Sequence, residues 1–428
     1  MNNITNAIGN NIAKSKYKVS YELVLLLTIG QYINSMIFLA MGLCYLLFLV
    51  IVRNHQMIVL KTRTNVCILI FLMITGALSG LMWSSEYSIY LISRDIFYIL
   101  NPIVFIMIGT YVCITSHQKY DLYKTLIILA ATLASIHMIN VILNINTVFS
   151  GDSGQIRSLL KASGITIVIG IVLLITSSKR NVTYFRKSVR NVLLIICMLS
   201  FILSFSRTNL VILVVMLSAF YLTHIRISMR SVKGAIAIII PVIIVLALAY
   251  TIIPSDIITF YTNKLQNSFS ELNTAHDWTE PEQIVYNWRG YEIYCAQIEF
   301  ENGNVFEKVF GYGFGKGIDV GKYAYLVMES AKSEIPFLHN GYYTILIKNG
   351  LFGLAAYLLF YFRNILTAVN KIIMRQNIYD SQVLLGVIFA LLIAAYFVSG
   401  IIYKGTMVEM CLLVGFVGNK LSAKPCPV

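Results

Sequence analysis

Apolar runs of about 20 residues, separated by short polar segments, recur along this 428-residue chain. A run of that length is what an α-helix needs to cross a hydrocarbon core of about 30 Å. The stretch 21–52 is too long for one straight span, and Gln31 and Asn34 interrupt it, which predicts two short helices joined by a polar turn. We therefore predict an all-α polytopic integral membrane protein with eleven or twelve transmembrane helices. The later spans are expected near 65–83, 97–115, 125–145, 163–178, 191–205, 209–224, 234–253, 341–361, 382–400 and 406–418.

Composition agrees with this pattern, because 58% of the residues are hydrophobic, only 12% are charged and the mean hydropathy is +0.76. A soluble protein has about 25% charged residues. The net charge of +14 would indicate nucleic-acid binding in a soluble chain. Here the basic residues gather between the spans, so we expect a membrane surface and no nucleic-acid partner. Since Lys and Arg are enriched in cytoplasmic loops, we place both termini and five basic segments in the cytoplasm: 14–18, 53–63, 179–190, 226–233 and 363–375.

One long polar segment, 254–340, divides the chain into a first bundle of spans (1–253), a loop (254–340) and a last group of spans with a short tail (341–428). The loop carries twelve acidic and six basic residues, a net charge of −6, whereas the rest of the chain carries +20. Thr279 and Glu282 have the spacing of a capping box, which predicts a helix running to about Glu301. We expect this loop to be an ordered helical cap on the extracytoplasmic side.

Three charged or titratable side chains near the outer ends of the spans are candidates for chemistry. Arg207 lies between two apolar runs, where an arginine either binds an anion or snorkels to the surface. Arg94 can likewise bind an anion, but Asp95 beside it favours a structural ion pair. His339 lies at the membrane boundary, where an imidazole can act as a general base or simply begin a helix.

The glycine-rich sequence 310–316 (FGYGFGK) resembles a nucleotide-binding loop only superficially, because no βαβ pattern precedes it. A tight turn beneath the cap is the plainer interpretation. The loop has no D-x-D pair, and the chain has no H-E-x-x-H, G-x-S-x-G or Walker A motif. We therefore expect neither a metal nor a cofactor.

These features in their order resemble the O-antigen polymerase and ligase superfamily of bacterial polysaccharide assembly. The resemblance rests on the turn 206–208 (SRT), on the loop helix with Arg289 followed by the glycine-rich turn, and on His339-Asn340. Nine residues separate Asn340 from Gly350, and Gly353 follows three positions later, which completes an H-N-x9-G-x-x-G pattern. The three features cover about residues 200–360. Within the loop, the chain has no R-x10-G pair of the kind described for some polymerases.

The resemblance implies that a glycan passes from polyprenyl pyrophosphate to a hydroxyl group of another lipid-linked unit, with inversion at the anomeric carbon. Arg207 and Arg289 would stabilise the departing pyrophosphate and His339 would deprotonate the acceptor. The catalytic residues would thus be His339, Arg289 and Arg207. The expected substrate-binding residues are Arg207, Arg289, Arg94, Ser206, Tyr294, Gly311, Gly313 and Asn340.

A repeat-unit polymerase in the bacterial plasma membrane is the function we favour. A ligase that moves a finished glycan to another acceptor would use the same residues. A transporter of lipid-linked oligosaccharides is a rival from another class, but it should show internal repeats, and we find none that is convincing. The resemblance implies lipid-linked donor and acceptor glycans and membrane lipid as partners, with a flippase and a chain-length regulator as further candidates.

Overall fold

The structure is a computed structural model, and it describes residues 13–14, 18–53, 63–82, 87–116, 120–149, 153–177, 182–204, 206–222, 278–326, 333–402 and 407–422. The predicted span 234–253, the basic segment 226–233 and the first part of the cap, 254–277, lie outside these residues.

The apolar runs of the described residues form helices close to the predicted positions. Before the cap these helices are α1 (Tyr21–Gly30), α2 (Ser35–Phe48), α3 (Arg63–Met82), α4 (Ile89–Ser116), α5 (Leu122–Leu143), α6 (Ile145–Phe149), α7 (Ser153–Ser158), α8 (Gly164–Thr176), α9 (Lys187–Leu203) and α10 (Arg207–Leu222). The cap contains α11 (Pro281–Tyr286), α12 (Trp288–Asn302) and α13 (Val305–Phe310), and it is followed by α14 (Gly341–Ile373), α15 (Ile378–Val398) and α16 (Val408–Ser422). A π-helical turn, Leu49–Arg53, extends α2.

The prediction of two short helices in the first apolar stretch is confirmed. Helix α1 ends at Gly30, and α2 begins after Asn34, whose side-chain oxygen accepts a hydrogen bond from the Met36 N–H. Asn34 is thus an N-cap, a position where asparagine satisfies a backbone donor that would otherwise lack a partner.

The chain is an all-α polytopic membrane protein. Some of its helices are long and apolar enough to cross a membrane, namely α3, α4, α5, α14 and α15. Others are apolar but shorter, namely α1, α2, α8 and α10. Helices α4 and α16 cross closely through Gly109 and Gly415. A Cβ on Gly109 would lie 2.1 Å from the Leu412 carbonyl oxygen, and one on Gly415 would lie 2.0 Å from that of Ile106. Small residues at such crossings let two backbones pack directly.

Segments that we assigned to the cytoplasm meet at one end of the bundle. Strand β1 (Ala13–Lys14) pairs in parallel with β2 (Val182–Thr183), so two of the five basic segments are neighbours. At the same end, Lys18 forms a β-bridge with Tyr120. The opposite end carries the cap. The assignment of the first end to the cytoplasm stays a prediction.

The described part of the cap has a hydrophobic core of its own. Helix α12 contributes Trp288, Tyr291 and Ala296 to this core. Strands β3 (Ile318–Asp319) and β4 (Glu334–Ile335) form an antiparallel pair, and a 3₁₀ turn, Gly321–Leu326, follows β3.

Two details of the predicted cap helix are wrong. Its N-cap is Glu280, which makes no side-chain capping bond, so the predicted capping box of Thr279 and Glu282 does not form. The Thr279 carbonyl instead accepts a hydrogen bond from the Tyr323 hydroxyl. The helix is also broken at Asn287, although its end at Asn302 is close to the predicted one.

Helix α14 is kinked at Gly350, which has φ 65° and ψ −165°. Residues with a side chain rarely adopt this conformation. The kink brings Gly350 against the end of α13, where an added Cβ would lie 2.4 Å from the Val309 carbonyl oxygen. Gly350, the first glycine of the H-N-x9-G-x-x-G pattern, therefore lies where the cap packs against the spanning helix.

Candidate functional site

His339 and Glu292 form the centre of the candidate site. The His339 Nδ1 lies 2.9 Å from Glu292 Oε1 and 3.1 Å from Oε2. The His339 backbone N–H donates to Glu292 Oε2 at 2.8 Å, and the Trp288 indole N–H donates to Oε1 at 2.6 Å. Glu292 is buried, whereas the imidazole of His339 is 50% exposed. One carboxylate therefore fixes both the backbone and the ring of His339.

The hydrogen bonds around Glu292 define the proton positions on His339. A carboxylate accepts hydrogen bonds only, and the indole and backbone groups that reach Glu292 can only donate. The Nδ1 therefore carries a proton that it donates to Glu292, and in the neutral ring Nε2 is unprotonated. In the described part of the chain Nε2 has no hydrogen-bond partner. This arrangement makes Nε2 a proton acceptor that faces away from its anchoring carboxylate.

The segment that carries His339 is also held from the membrane side. The Ser399 N–H, at the end of α15, donates to the His339 carbonyl oxygen at 2.9 Å, and the Ser399 hydroxyl donates to that of Leu338. The Asn340 side-chain oxygen caps α14 by accepting from the N–H groups of Tyr342 and Tyr343. The other side-chain atom of Asn340, Nδ2, is buried without a partner among the described residues.

Arg289 lies beside this pair on α12. It precedes Glu292 by three positions, a spacing that places two side chains side by side on a helix. Arg289 is half-buried and engaged in a contact. Tyr294, also half-buried, packs against Trp278 and Tyr291 with ring centroids 5.9 and 6.5 Å apart. Trp288 and Tyr291 are buried in the cap core.

The glycine-rich turn is wedged between α3 and α14. Gly311, Gly313 and Gly315 all have positive φ. The Gly313 N–H donates to the Lys348 carbonyl at 3.0 Å, and an added Cβ on Gly313 would lie 2.0 Å from the Gly80 nitrogen. This is the tight turn beneath the cap that we considered. The substrate-binding roles of Gly311 and Gly313 stay predictions, and the amides of both already donate to carbonyls of the chain.

Two groups that pack against the cap core have raised pKa values. Burial raises the pKa of the Tyr312 phenol to about 12, and its hydroxyl donates to the Glu299 carbonyl at 2.8 Å. Burial also raises the pKa of the Cys295 thiol to about 11. Both groups are therefore protonated and neutral near pH 7, so neither adds charge to the site.

A second buried carboxylate lies under the same turn. Asp95 accepts hydrogen bonds from the Lys348 ammonium, from the Gly315 N–H at 2.9 Å and from Arg94 Nε at 3.3 Å. The predicted ion pair of Arg94 and Asp95 is present. The proximity of Lys348 was not predicted, because its position inside an apolar helix gave no sign of a partner more than 250 positions away along the chain.

Arg207 begins α10, and Ser206 precedes it with its hydroxyl accepting a hydrogen bond from the Asn209 N–H at 3.3 Å. The turn between α9 and α10 thus lies where the sequence predicts it. Arg207 is half-buried and engaged in a contact. The roles of Arg207 and Ser206 in binding stay predictions.

The structure joins His339 to Glu292, a residue whose role sequence reasoning missed. The i, i+4 spacing of Trp288 and Glu292 is a weak signal for it, since the pair lies on the buried face of the cap helix. No group of three or more His, Cys, Asp and Glu side chains within the described ranges is placed to hold a metal ion.

The fold and the site define a polytopic membrane protein in which a helical cap fixes a histidine above the spanning helices. Residues 192–358 match the sequence model of the O-Antigen ligase family. This region, which is less than half of the chain, is therefore similar to the O-antigen ligase and polymerase superfamily, whose members are membrane glycosyltransferase-like enzymes. The matched region includes Arg207, Arg289, Glu292 and His339 but not Arg94. Comparison with curated proteins gave no match.

Proposed function

We propose that this chain polymerises lipid-linked polysaccharide repeat units. The growing glycan passes from polyprenyl pyrophosphate to a sugar hydroxyl of a second lipid-linked unit. The reaction takes place at the outer face of a bacterial plasma membrane, with the cap extracytoplasmic and both termini cytoplasmic. The family match supports glycan transfer, and the net charge of +20 outside the cap loop supports the orientation, since most of it lies in the basic segments.

The His339–Glu292 pair is the observation that carries this proposal. Nε2 of His339 takes the proton of the acceptor hydroxyl while that oxygen attacks the anomeric carbon of the donor. The bond between the anomeric carbon and the pyrophosphate oxygen breaks, and its electron pair leaves with the pyrophosphate. This single displacement inverts the anomeric centre. The imidazolium that forms is stabilised by the buried Glu292 carboxylate, 2.9 Å from Nδ1.

Arginine side chains supply the positive charge that the departing pyrophosphate needs. A guanidinium group matches phosphate oxygens with two parallel hydrogen bonds and stays charged at all physiological pH values. Arg289 is one helical turn from Glu292, so a donor held by Arg289 has its reacting carbon near His339. Arg207 is the second arginine of the proposed site.

Transfer of a finished glycan to a different acceptor is the second candidate function. It is favoured by the family description, O-Antigen ligase. The chemistry at the donor is the same in both, so the described residues serve either reaction. A transporter does not need a base held by a buried carboxylate, and we do not propose that function.

A complementation assay tests the proposal. The chain is expressed in a strain lacking its own copy, and glycan chain length is read on gels, normalised to the amount of membrane-inserted protein. His339→Ala should reduce polymer by at least about 100-fold, the usual range for loss of a general base. Arg289→Ala should do the same. Lys322→Ala is the matched control, because Lys322 is exposed on the same cap.

Full-length polymer from either site variant would reject the site assignment. Wild-type protein that joins a finished glycan to a different acceptor, without lengthening the lipid-linked chains, would identify the ligase reaction instead.

A further inference from the structure

The buried carboxylate of Asp95 has two cationic neighbours rather than one. Its Oδ2 accepts from the Lys348 ammonium, and its Oδ1 accepts from Arg94 Nε at 3.3 Å. The side chains of Asp95 and Lys348 are 1% and 2% exposed, and that of Arg94 is 15% exposed. Two positive charges against one negative charge leave this trio with a net charge of +1.

Because Asp95 and Lys348 are both buried, each needs the other as an oppositely charged partner. A buried ammonium or carboxylate is costly without an opposite charge, and Lys348 reaches Asp95 and the Lys316 carbonyl oxygen, the latter at 3.0 Å. The Gly315 N–H adds a third donor to Asp95. Lys348 thus neutralises Asp95 inside the protein and is itself inaccessible to a ligand.

Arg94 is left with part of its hydrogen-bonding capacity unused. Of its nitrogens only Nε donates to Asp95, and in the described residues no acceptor faces the two terminal nitrogens. The carbon between them lies 5.9 Å from the centre of the Phe337 ring, and Lys348 Nζ lies 4.6 Å from the same ring. Phe337 is two residues before His339, so this guanidinium lies beside the segment that carries the proposed base.

We propose that Lys348 is a positioning residue that neutralises Asp95, so that Arg94 keeps a net positive charge for the pyrophosphate of the lipid-linked substrate. This inference rests on the proposed function, because it assumes a pyrophosphate donor. Arg94 contacts the pyrophosphate through its terminal nitrogens, whereas Lys348 acts only through Asp95.

Loss of the Lys348 charge separates this role from that of a purely structural ion-pair network. With Lys348→Met, the unpaired Asp95 carboxylate has only Arg94 to neutralise it. Arg94 is then held as a bidentate partner and its charge is cancelled. Removing the negative charge as well, in Asp95→Asn/Lys348→Met, frees Arg94 again. In a network that only braces the fold, Lys348→Met would lower the unfolding temperature and the second substitution would restore it, while pyrophosphate binding per folded molecule would stay unchanged throughout.

Pyrophosphate binding measures this charge balance. The probe is farnesyl pyrophosphate, titrated onto the full-length protein in nanodiscs, with thermal unfolding recorded for every variant. Arg94→Gln should weaken binding roughly tenfold, the loss expected for one charge-assisted contact. Lys348→Met should weaken it to a similar extent. Asp95→Asn alone and Asp95→Asn/Lys348→Met should bind within about twofold of wild type, and so should the control Lys322→Ala.

Unchanged binding in Arg94→Gln would overturn the proposal, as would a double variant that binds as weakly as Lys348→Met. Those results leave the proposed function intact. If the wild-type protein does not bind farnesyl pyrophosphate, the assumption of a pyrophosphate donor is wrong, and both proposals fail with it. Full polymer from His339→Ala would reject only the assignment of the base, whereas the predicted binding in a protein that makes no polymer would reject the proposed function and leave the arginine site standing.

Discussion

Two buried carboxylates, at opposite ends of the bundle, each bind a cationic or basic partner. At the cap end, Glu292 accepts from Trp288 and from His339. At the end that we assign to the cytoplasm, Asp380 accepts from the Tyr123 hydroxyl at 2.7 Å and from Lys420 Nζ at 2.6 Å. Both carboxylates are buried and both join elements far apart in the sequence.

The two sites differ in whether the partner of the carboxylate keeps a nitrogen that can accept a proton. Lys420 and Tyr123 tie the ends of α5, α15 and α16 together, and an ammonium group has no lone pair for catalysis. His339 is half-exposed and keeps Nε2 available. The same kind of buried carboxylate therefore anchors helices at one end and prepares a base at the other.

Among the changes that test this difference, Glu292→Gln is expected to have the largest effect on activity. The glutamine amide can donate to Nδ1, which favours the imidazole form whose proton lies on Nε2 and so removes the base. Polymer per molecule should fall roughly 100-fold, since misorienting a catalytic histidine by this kind of exchange is severe. The measurement is the complementation assay with protein levels matched by immunoblot. Polymer at the wild-type level in this variant would contradict the role of Glu292.

The matching change at the other end, Asp380→Asn, should reduce stability rather than activity. Loss of the charge-assisted bonds from Tyr123 and Lys420 should cost about 2 kcal/mol. The protein in detergent should therefore unfold at a lower temperature, measured by tryptophan fluorescence, while polymer per folded molecule stays within about twofold of wild type. A folded Asp380→Asn protein without activity would show that the two ends do not differ as described.

The smallest expected effect concerns the thiol of Cys295, which packs against the cap core. Burial raises the pKa of the Cys295 thiol to about 11, so its reactive thiolate is scarce at neutral pH. In a variant with Cys295 as its sole cysteine, maleimide labelling should be slow at pH 7 and rise about tenfold per pH unit up to pH 10. A rate that levels off near pH 8 would indicate that the cap opens to water around this residue.

Much of the fold follows from hydrophobic periodicity. The apolar runs that become α3, α5 and α15 are readable because a membrane-spanning helix needs a long apolar stretch. The break between α1 and α2 is readable because Gln31 and Asn34 are polar. The kink at Gly350 is not, since glycine is common in spanning helices and only the approach of α13 requires a positive φ there.

The candidate site was predictable only in part. His339 and Arg289 could be found through their motifs, each of which is local in sequence. Glu292 and Lys348 could not be assigned a role, because their importance comes from contacts with residues 47 and 253 positions away. Tertiary contacts of this kind leave no pattern in a single sequence.

The protonation of the His339 ring tests the central claim most directly. Nitrogen-15 NMR of histidine-labelled full-length protein in nanodiscs separates the two ring nitrogens, and the His339→Gln variant identifies their signals. When the ring is neutral, we predict a proton on Nδ1, bound to Glu292, and none on Nε2. A proton on Nε2 instead would mean that Nδ1 is the acceptor, and His339 would have no free base to offer a sugar hydroxyl.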